Sequence, residues 1–143
     1  MKVYLRRSQK RRGGMAMSEM ILPRLNRSNM HPAYQCGRLM AMLADLQHSA
    51  LGNVGAGIVQ RYYSAACTTP SLVLGRLTSL SQHHLSQLSK KYPGKARWYE
   101  DEVCEIWRRL GASIPRTHEL EEQTLFALGY YHQIADVRKG KDK

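Results

Sequence analysis

The sequence predicts an all-α protein: a compact bundle of about five helices that follows a basic amino-terminal arm. Apolar residues recur at steps of three and four along most of the chain, which is the spacing of one helix face. Glycines and prolines, among them Gly52, Pro70 and Gly111, separate these stretches at ordinary helix lengths. With 143 residues, 43% of them hydrophobic, the chain is long enough for one domain with one core. We therefore divide it into an arm or linker over residues 1–28 and a helical bundle over residues 29–143.

Residues 1–28 have the composition of a solvated, basic segment. Positions 2–14 hold six basic residues and end in two glycines. A transit peptide, which is also rich in arginine and poor in acids, is the alternative. Nearer the bundle, Arg24, Asn26 and Arg27 place two charges and an amide close together. That combination suits phosphate groups, and it suits a solvated linker equally well.

The first strong helix is predicted from Asn29 to Leu51. Asn29 can cap it, Pro32 suits its first turn, and Gly52 ends it. The residues predicted to face inward are Cys36, Leu39, Met40, Leu43 and Leu46, and those predicted to face outward are Gln35, Arg38, Asp45 and Ser49.

Two further helices are predicted between Ala56 and Lys90. The first ends near Cys67, and Thr69 followed by Pro70 provides a cap and a first position for the second. The outer row of this second helix consists of Arg76, Ser79, His83, Ser86 and Lys90. At about 1.5 Å per residue the row spans about 20 Å, enough to follow a nucleic-acid backbone. An ordinary solvated face has the same pattern, so the row alone leaves both interpretations open.

The last two helices are predicted at Ala96 to Leu110 and at Thr117 to about Arg138. The last one is predicted to be the most central, because it is apolar on more than one side. Its small residue Gly129 allows a neighbouring backbone to approach closely. One predicted inward stripe consists of Leu125, Leu128, Tyr131 and Ile134, and a second consists of Phe126, Tyr130 and Val137.

Basic residues are concentrated before Glu100. That part of the chain has 15 basic residues and two acids, Glu19 and Asp45, a balance of +13, whereas the remainder has a balance of −2. A basic front and a near-neutral back suggest one face that meets a polyanion and another that meets protein. Because no apolar run approaches the length of about 20 residues that spans a bilayer, we expect nucleic acid in the cytoplasm rather than a membrane as the partner.

The sequence predicts no catalytic residue, no metal site and no cofactor. Cys36, Cys67 and Cys104 are odd in number and lie too far apart for paired zinc knuckles, so plain buried thiols are expected. Adjacent His83 and His84 point about 100° apart on a helix and do not converge on one ion.

Three stretches of the chain together resemble one family. They read LNRSNMHPAYQCGRLMAMLADLQ from Leu25, VGAGIVQRYYSAACTTPSLVLGRLTSLSQHHLSQL from Val54, and EEQTLFALGYYHQ from Glu121. They are similar to the carboxyl-terminal region of the large subunit of the type I-C CRISPR effector complex, Cascade. The resemblance covers about Leu25 to Arg138, with several long matches in the same order, and is weakest from Met1 to Arg24.

The resemblance implies a separate small subunit of a prokaryotic, cytoplasmic complex, made from an internal start within the large-subunit gene. Its implied partners are the CRISPR guide RNA, the target and non-target DNA strands, the Cascade backbone and large subunits, and further copies of itself. It implies no nuclease site in this subunit, because cutting belongs to a recruited helicase-nuclease. The implied role is to stabilise the guide RNA–target DNA heteroduplex and the displaced strand.

In such complexes guide pairing reads sequence, while protein contacts the backbone and shape of the nucleic acid. Basic residues and neutral donors before Glu100 are therefore the candidate contacts, and the acidic helix from Glu100 is predicted to face protein or solvent. The candidates are Arg24, Asn26, Arg27, Arg38, Arg61, Arg76, His83, Lys90 and Lys91.

A free-standing helix-turn-helix regulator is the first alternative. The helix ending at Cys67, the turn at Thr68 and the helix from Pro70 can be drawn as this motif. However, Leu74 and Gly75 then stand where base-reading side chains are expected, which counts against it.

A small helical nuclease is the second alternative, with His118, Glu119 and Glu121 around a metal. These residues lie at the start of the last helix, where capping and the helix dipole already account for them.

Overall fold

Five α-helices make up the part of the chain that the computed structural model describes, residues 24–52, 57–111 and 114–141, with side chains to residue 139. These residues include no β-strand, and the predicted all-α bundle is confirmed. Most of the predicted arm, residues 1–23, lies outside the described residues. The helices are α1 (Pro32–Leu51), α2 (Ile58–Thr68), α3 (Pro70–Lys91), α4 (Pro93–Leu110) and α5 (Leu120–Lys141).

The central helix is α1, which packs against all four other helices. Residues 33–43 of α1 are buried without interruption, including the polar Gln35 and Arg38. The prediction that the last helix is the most central is therefore wrong. The outward positions assigned to Gln35 and Arg38 are also wrong, because α1 is covered on every side by its neighbours.

The closest contact in the bundle joins α1 to α5. A Cβ atom on Gly37 would overlap the backbone carbonyl of Phe126, and one on Gly129 would overlap that of Tyr34. The predicted close approach at Gly129 is confirmed. Because both glycines lack a side chain, the two helices meet backbone to backbone along this line.

The buried side of α5 follows steps of three and four: Phe126, Gly129, Gln133 and Val137. The predicted stripe through Leu128 and Tyr131 is wrong, since these side chains are 44% and 60% exposed. The physical reason is rotation. Three-residue steps turn the helix by about 300°, so a stripe at constant three-residue spacing drifts around the helix and leaves the face that packs on α1.

The amino end of α1 is capped by His31 rather than by Asn29. His31 Nδ1 accepts the backbone N–H of Ala33 at 3.0 Å, and Asn29 Oδ1 accepts the N–H of His31 at 3.0 Å. Asn29 therefore holds the backbone of the capping residue His31 from two positions earlier in the chain. At the other end, Gly52 terminates α1 with φ of +77°, as predicted.

Two other helices begin at positions that differ from the predicted ones. Helix α4 starts at Pro93 instead of Ala96, because proline suits the first helical turn. Helix α5 starts at Leu120 instead of Thr117. Glu122 Oε1 accepts the backbone N–H of Glu119 at 2.8 Å, which is the reciprocal half of a capping box.

The cysteines do not share one environment. Cys36 is buried, Cys67 is half-buried and Cys104 is exposed. The expectation of buried thiols is therefore wrong for Cys104, which lies on the outer side of α4. Burial raises the pKa of the Cys36 thiol to about 12.

Candidate nucleic-acid interface

Helices α2 and α3 form a surface that contains no acidic residue. The chain has no Asp or Glu between Asp45 and Glu100, a stretch that includes both helices in full. The predicted outer row of α3 is exposed at every position: Arg76, Ser79, His83, Ser86 and Lys90. The solvent side of α3 therefore presents hydrogen-bond donors and positive charge with no neighbouring acid along the same helix.

Two of the predicted contact residues come together at a groove between α1, α2 and α3. Arg61 from α2 and His83 from α3 line this groove, which has a volume of about 250 Å³. Arg76 is exposed on α3, one turn before Leu80, another lining residue. The structure thus joins residues that are 22 positions apart in the sequence, Arg61 and His83, at one surface feature.

Lys90 and Lys91 lie in the last turn of α3 and are both exposed. Their charges complement the carboxyl-terminal end of the helix dipole, a contribution of about 0.3–1 kcal/mol at an exposed site. This stabilising role leaves the ammonium groups open to solvent, so they extend the cationic row of α3 to the corner where α4 begins.

Arg38 is fully buried, contrary to its predicted place on an outer face. Its Nε donates to Oε1 of Gln133 on α5 at 2.7 Å, and its Nη1 donates to Oε1 of Gln35 at 3.0 Å. The two amide oxygens replace water around the guanidinium, which is how a charge at the centre of the bundle is tolerated. Arg38 is a structural residue at this position and does not reach the surface.

A cluster of arginines and glutamates lies beside the buried guanidinium of Arg38. Glu102 Oε2 lies 3.3 Å from Arg27 Nη2 and 3.8 Å from Arg38 Nη2. Arg109 pairs with Glu105 at 3.1 Å and also donates to the Arg27 carbonyl. Burial lowers the pKa of Arg38, and the charges of Arg27 and Arg109 add to that effect while Glu102 opposes it. The predicted contact Arg27 is therefore half-exposed and already engaged with a carboxylate.

The segment before α1 holds the other two predicted contacts, Arg24 and Asn26. Both are exposed. Asn26 Oδ1 accepts from the backbone N–H of Ser28 at 3.1 Å and from its Oγ at 2.6 Å. The backbone N–H of Asn26 donates to the Tyr34 hydroxyl at 2.9 Å. Asn26 thus holds this segment against α1. The charged side chain of Arg24 is exposed to solvent.

His118, Glu119 and Glu121, the nuclease candidates, do not form a joint site. His118 is buried with Nδ1 2.9 Å from the Cys67 carbonyl, whereas Glu119 and Glu121 are exposed. Across residues 24–52, 57–111 and 114–141, no three His, Cys, Asp or Glu side chains are arranged to hold a metal ion.

Sequence reasoning missed three residues that line the groove: Tyr62, Leu80 and His84. From the sequence, His84 bears only on the question of a metal site, and Leu80 lies between the inner row and the outer row of α3. The signal for Leu80 is its position four residues after Arg76, which puts an apolar side chain beside the cationic row.

None of the described helices is both long enough and apolar enough to cross a membrane.

Comparison of the chain with protein-family models gives a match. Among curated proteins, none matches this chain. The family model described as CRISPR-associated protein (Cas_Csd1) matches residues 1–138, which is almost the whole chain. The predicted resemblance to a CRISPR-associated protein is thereby confirmed, and the chain belongs to the CRISPR-associated protein (Cas_Csd1) family.

Proposed function

We propose that this chain is a non-catalytic small subunit of a type I-C CRISPR surveillance complex, Cascade, in the prokaryotic cytoplasm. In this role it stabilises the heteroduplex of guide RNA and target DNA, and the displaced non-target strand. Membership in the CRISPR-associated family supports the biological setting. The observation that carries the nucleic-acid role is the exposed, acid-free surface of α2 and α3.

We call the exposed donors of this surface the basic face: Arg61, Arg76, His83, Lys90 and Lys91. None of the five forms an ion pair within the described part of the chain. Arg76 and Lys90 are separated by about 21 Å along α3. A row of unpaired charges over this length can neutralise several successive phosphates and needs no base-reading motif.

The exposed side of α5 is our candidate for contact with the Cascade backbone and large subunits or further copies of this chain. Leu120, Leu128 and Tyr131 are exposed there, and residues 123–135 contain no charged side chain. Aromatic and aliphatic side chains without charge are typical of the centre of a protein interface. On α4, Glu102 and Glu105 are engaged with arginines of this chain, so we assign protein contact to α5 rather than to the acidic helix.

The fold does not favour the regulator alternative. In a helix-turn-helix protein the amino end of α3 would enter a DNA groove. Here the N–H of Ser71 donates to the Pro115 carbonyl at 3.1 Å, and the N–H of His118 donates to the Thr68 carbonyl at 2.9 Å. The segment around residues 114–118 therefore packs against the end of α3 that would have to approach the bases.

The test is charge reversal within the assembled complex. The variant Arg61→Glu, Arg76→Glu, Lys90→Glu changes three exposed residues, so the bundle keeps its helical content and thermal stability. We expect target DNA affinity to fall by more than about tenfold, because three phosphate contacts become repulsive.

The matched control, Arg116→Glu, Arg138→Glu, Lys139→Glu, makes the same change in net charge at exposed positions outside the basic face. It should retain target affinity. Equal target binding by the first variant and the parent complex would refute the assignment of the basic face.

A further inference from the structure

The groove between α1, α2 and α3 combines an apolar interior with a cationic rim. Leu43 and Leu77 contribute to its inner wall, and Tyr62 and Leu80 contribute to its sides. Leu80 is a large apolar residue at the groove, and it is nevertheless 53% exposed to solvent. Arg61 lies at the same groove and is exposed. With a volume of about 250 Å³, the groove has room for a small ring system rather than a large ligand.

His84 adds an unsatisfied polar atom to this groove. Its Nδ1 is buried and has no hydrogen-bond partner, although the ring lines the groove. Leaving such a group unpaired is unfavourable, so a ligand that hydrogen-bonds to this nitrogen gains affinity. Burial, with a smaller effect of His83, lowers the pKa of His84, so the ring is neutral near pH 7 and can donate or accept depending on its tautomer.

These features define the chemistry of a ligand. The apolar walls favour a flat ring, the unpaired Nδ1 favours a polar ring edge, and Arg61 favours an attached negative charge. None of the groove-lining residues is acidic, so an anionic ligand meets no opposing charge. An aliphatic chain lacks the polar edge, and a free phosphate lacks the ring. A nucleobase joined to its phosphate has all three properties.

We propose that this groove binds one unstacked nucleobase of a single DNA strand, with Arg61 on the adjoining phosphate and His84 on the base edge. The proposal rests on the proposed function, since a displaced strand is single-stranded and its bases are unpaired. The groove then adds a base contact to the backbone contacts of the basic face. Stacking of this kind is tolerant of sequence because every base has a flat face.

The test uses the full chain with two fluorescent single strands of about 16 nucleotides, one of thymidines and one with abasic sites throughout. We expect the parent to bind the thymidine strand about tenfold more tightly, because a stacked base contributes about 1–3 kcal/mol. Leu80→Gln removes an apolar wall without changing charge and should reduce this preference to less than about twofold, with abasic binding unchanged.

The matched control is Leu72→Gln. Leu72 lies on the same helix, is 74% exposed and does not line the groove, so this variant should keep the preference of the parent. His84→Phe keeps a flat ring but removes the unpaired nitrogen, and it should weaken thymidine binding by a few-fold while abasic binding stays constant.

The outcomes separate the two proposals. Equal parental affinity for thymidine and abasic strands would overturn the groove proposal and leave the proposed function intact. A preference that survives Leu80→Gln would also overturn it. Absence of binding to either strand, together with normal target binding by a complex lacking this chain, would overturn both. The same comparison with uridine RNA identifies whether the base site favours DNA, and equal preference for RNA bases would overturn the assignment to the displaced strand.

Discussion

Gly37 on α1 faces the backbone carbonyl of Phe126 on α5 with no room for a side chain between them. A second, reciprocal contact lies about one helical turn away, where Gly129 on α5 faces the carbonyl of Tyr34 on α1. Two glycines on opposite helices therefore set both the separation and the register of the central helix pair. The polar network of Arg38 and Gln133 lies along the same interface.

Gly37→Ala is expected to lower the free energy of unfolding by about 1–3 kcal/mol, because the new methyl group displaces α5. The matched control is Gly75→Ala on α3, where no atom lies within 4 Å of the added carbon. That substitution should stabilise the protein by about 0.4–1 kcal/mol, since alanine favours a helix and restricts the unfolded chain. Urea denaturation of the three proteins measures both effects. Similar free energies of unfolding for Gly37→Ala and the parent would contradict the close contact.

Local sequence patterns predicted the five helices well, because helix periodicity and the turn residues Gly52 and Gly111 are local signals. They did not identify the role of Gly37, since a glycine within a helix normally indicates only a local cost in helix stability. The need for glycine at position 37 comes from the backbone of Phe126, which is distant in sequence. Arg38 is similar: its outward assignment followed from helix spacing, but Gln133 and Gln35 supply the acceptors that permit burial.

Phe126→Ala and Leu128→Ala distinguish the observed face of α5 from the predicted stripe. Phe126 is fully buried, so its truncation should cost about 3–5 kcal/mol. Leu128 is substantially exposed, so its truncation should change stability by less than about 0.5 kcal/mol. Thermal and urea denaturation provide the measurement. A cost at Leu128 comparable to that at Phe126 would show that α5 is rotated relative to the described packing.

Replacement of Arg38 by methionine should destabilise the protein by about 2–3 kcal/mol. The change leaves the oxygens of Gln35 and Gln133 without their charged donor, while Glu102 retains its pairing with Arg27. Arg61→Met is the matched control and should stay within about 0.5 kcal/mol, because Arg61 is exposed. Equal stability of the two variants would place the Arg38 side chain at the surface and restore it as a strand-contact candidate.

In the candidate interface too, some features could be predicted from local sequence and others could not. The exposed row of α3 is a property of one helix and was predictable from spacing. The groove forms because Arg61 on α2 lies near Leu80 and His84 on α3. The crossing of α2 and α3 cannot be predicted from the sequence pattern of either helix. Charge distribution along the chain therefore indicates α2 and α3 as the candidate helices, whereas the arrangement of the lining side chains required the fold.

The protein is expected to lose stability as the pH falls below about 6.5. The N–H of Asn26 donates to the Tyr34 hydroxyl, so the hydroxyl proton is directed to His132 Nδ1, 2.9 Å away, which must be unprotonated. Burial lowers the pKa of His132 from 6.5, and it does the same for His84. The unfolded chain therefore binds protons first as the pH falls, and each proton that it binds favours unfolding.

This stability is fully present above about pH 7.5 and declines through about pH 6.5 toward the lower pKa values of the folded state. Urea denaturation at about pH 7.5 and pH 5.5 measures the loss. His132→Gln keeps a hydrogen-bonding side chain but cannot titrate, so its unfolding free energy should change less with pH. A parent protein that becomes more stable on acidification would contradict the assigned state of His132.

Single-strand binding should depend steeply on salt. Four cations of the basic face and Arg24 are available to neutralise about five phosphates, because Arg38 is buried and Arg27 is paired with Glu102. A slope of log affinity against log salt near −3.5 follows, at about −0.7 per phosphate on a single strand.

Arg61→Gln should reduce the magnitude of this slope by about 0.7. Arg38→Gln removes the same net charge from a buried position and should leave the slope unchanged, provided that circular dichroism confirms the fold at the assay temperature. A similar reduction for both variants would mean that binding responds to net charge alone, and the specific assignment of the basic face would then fail.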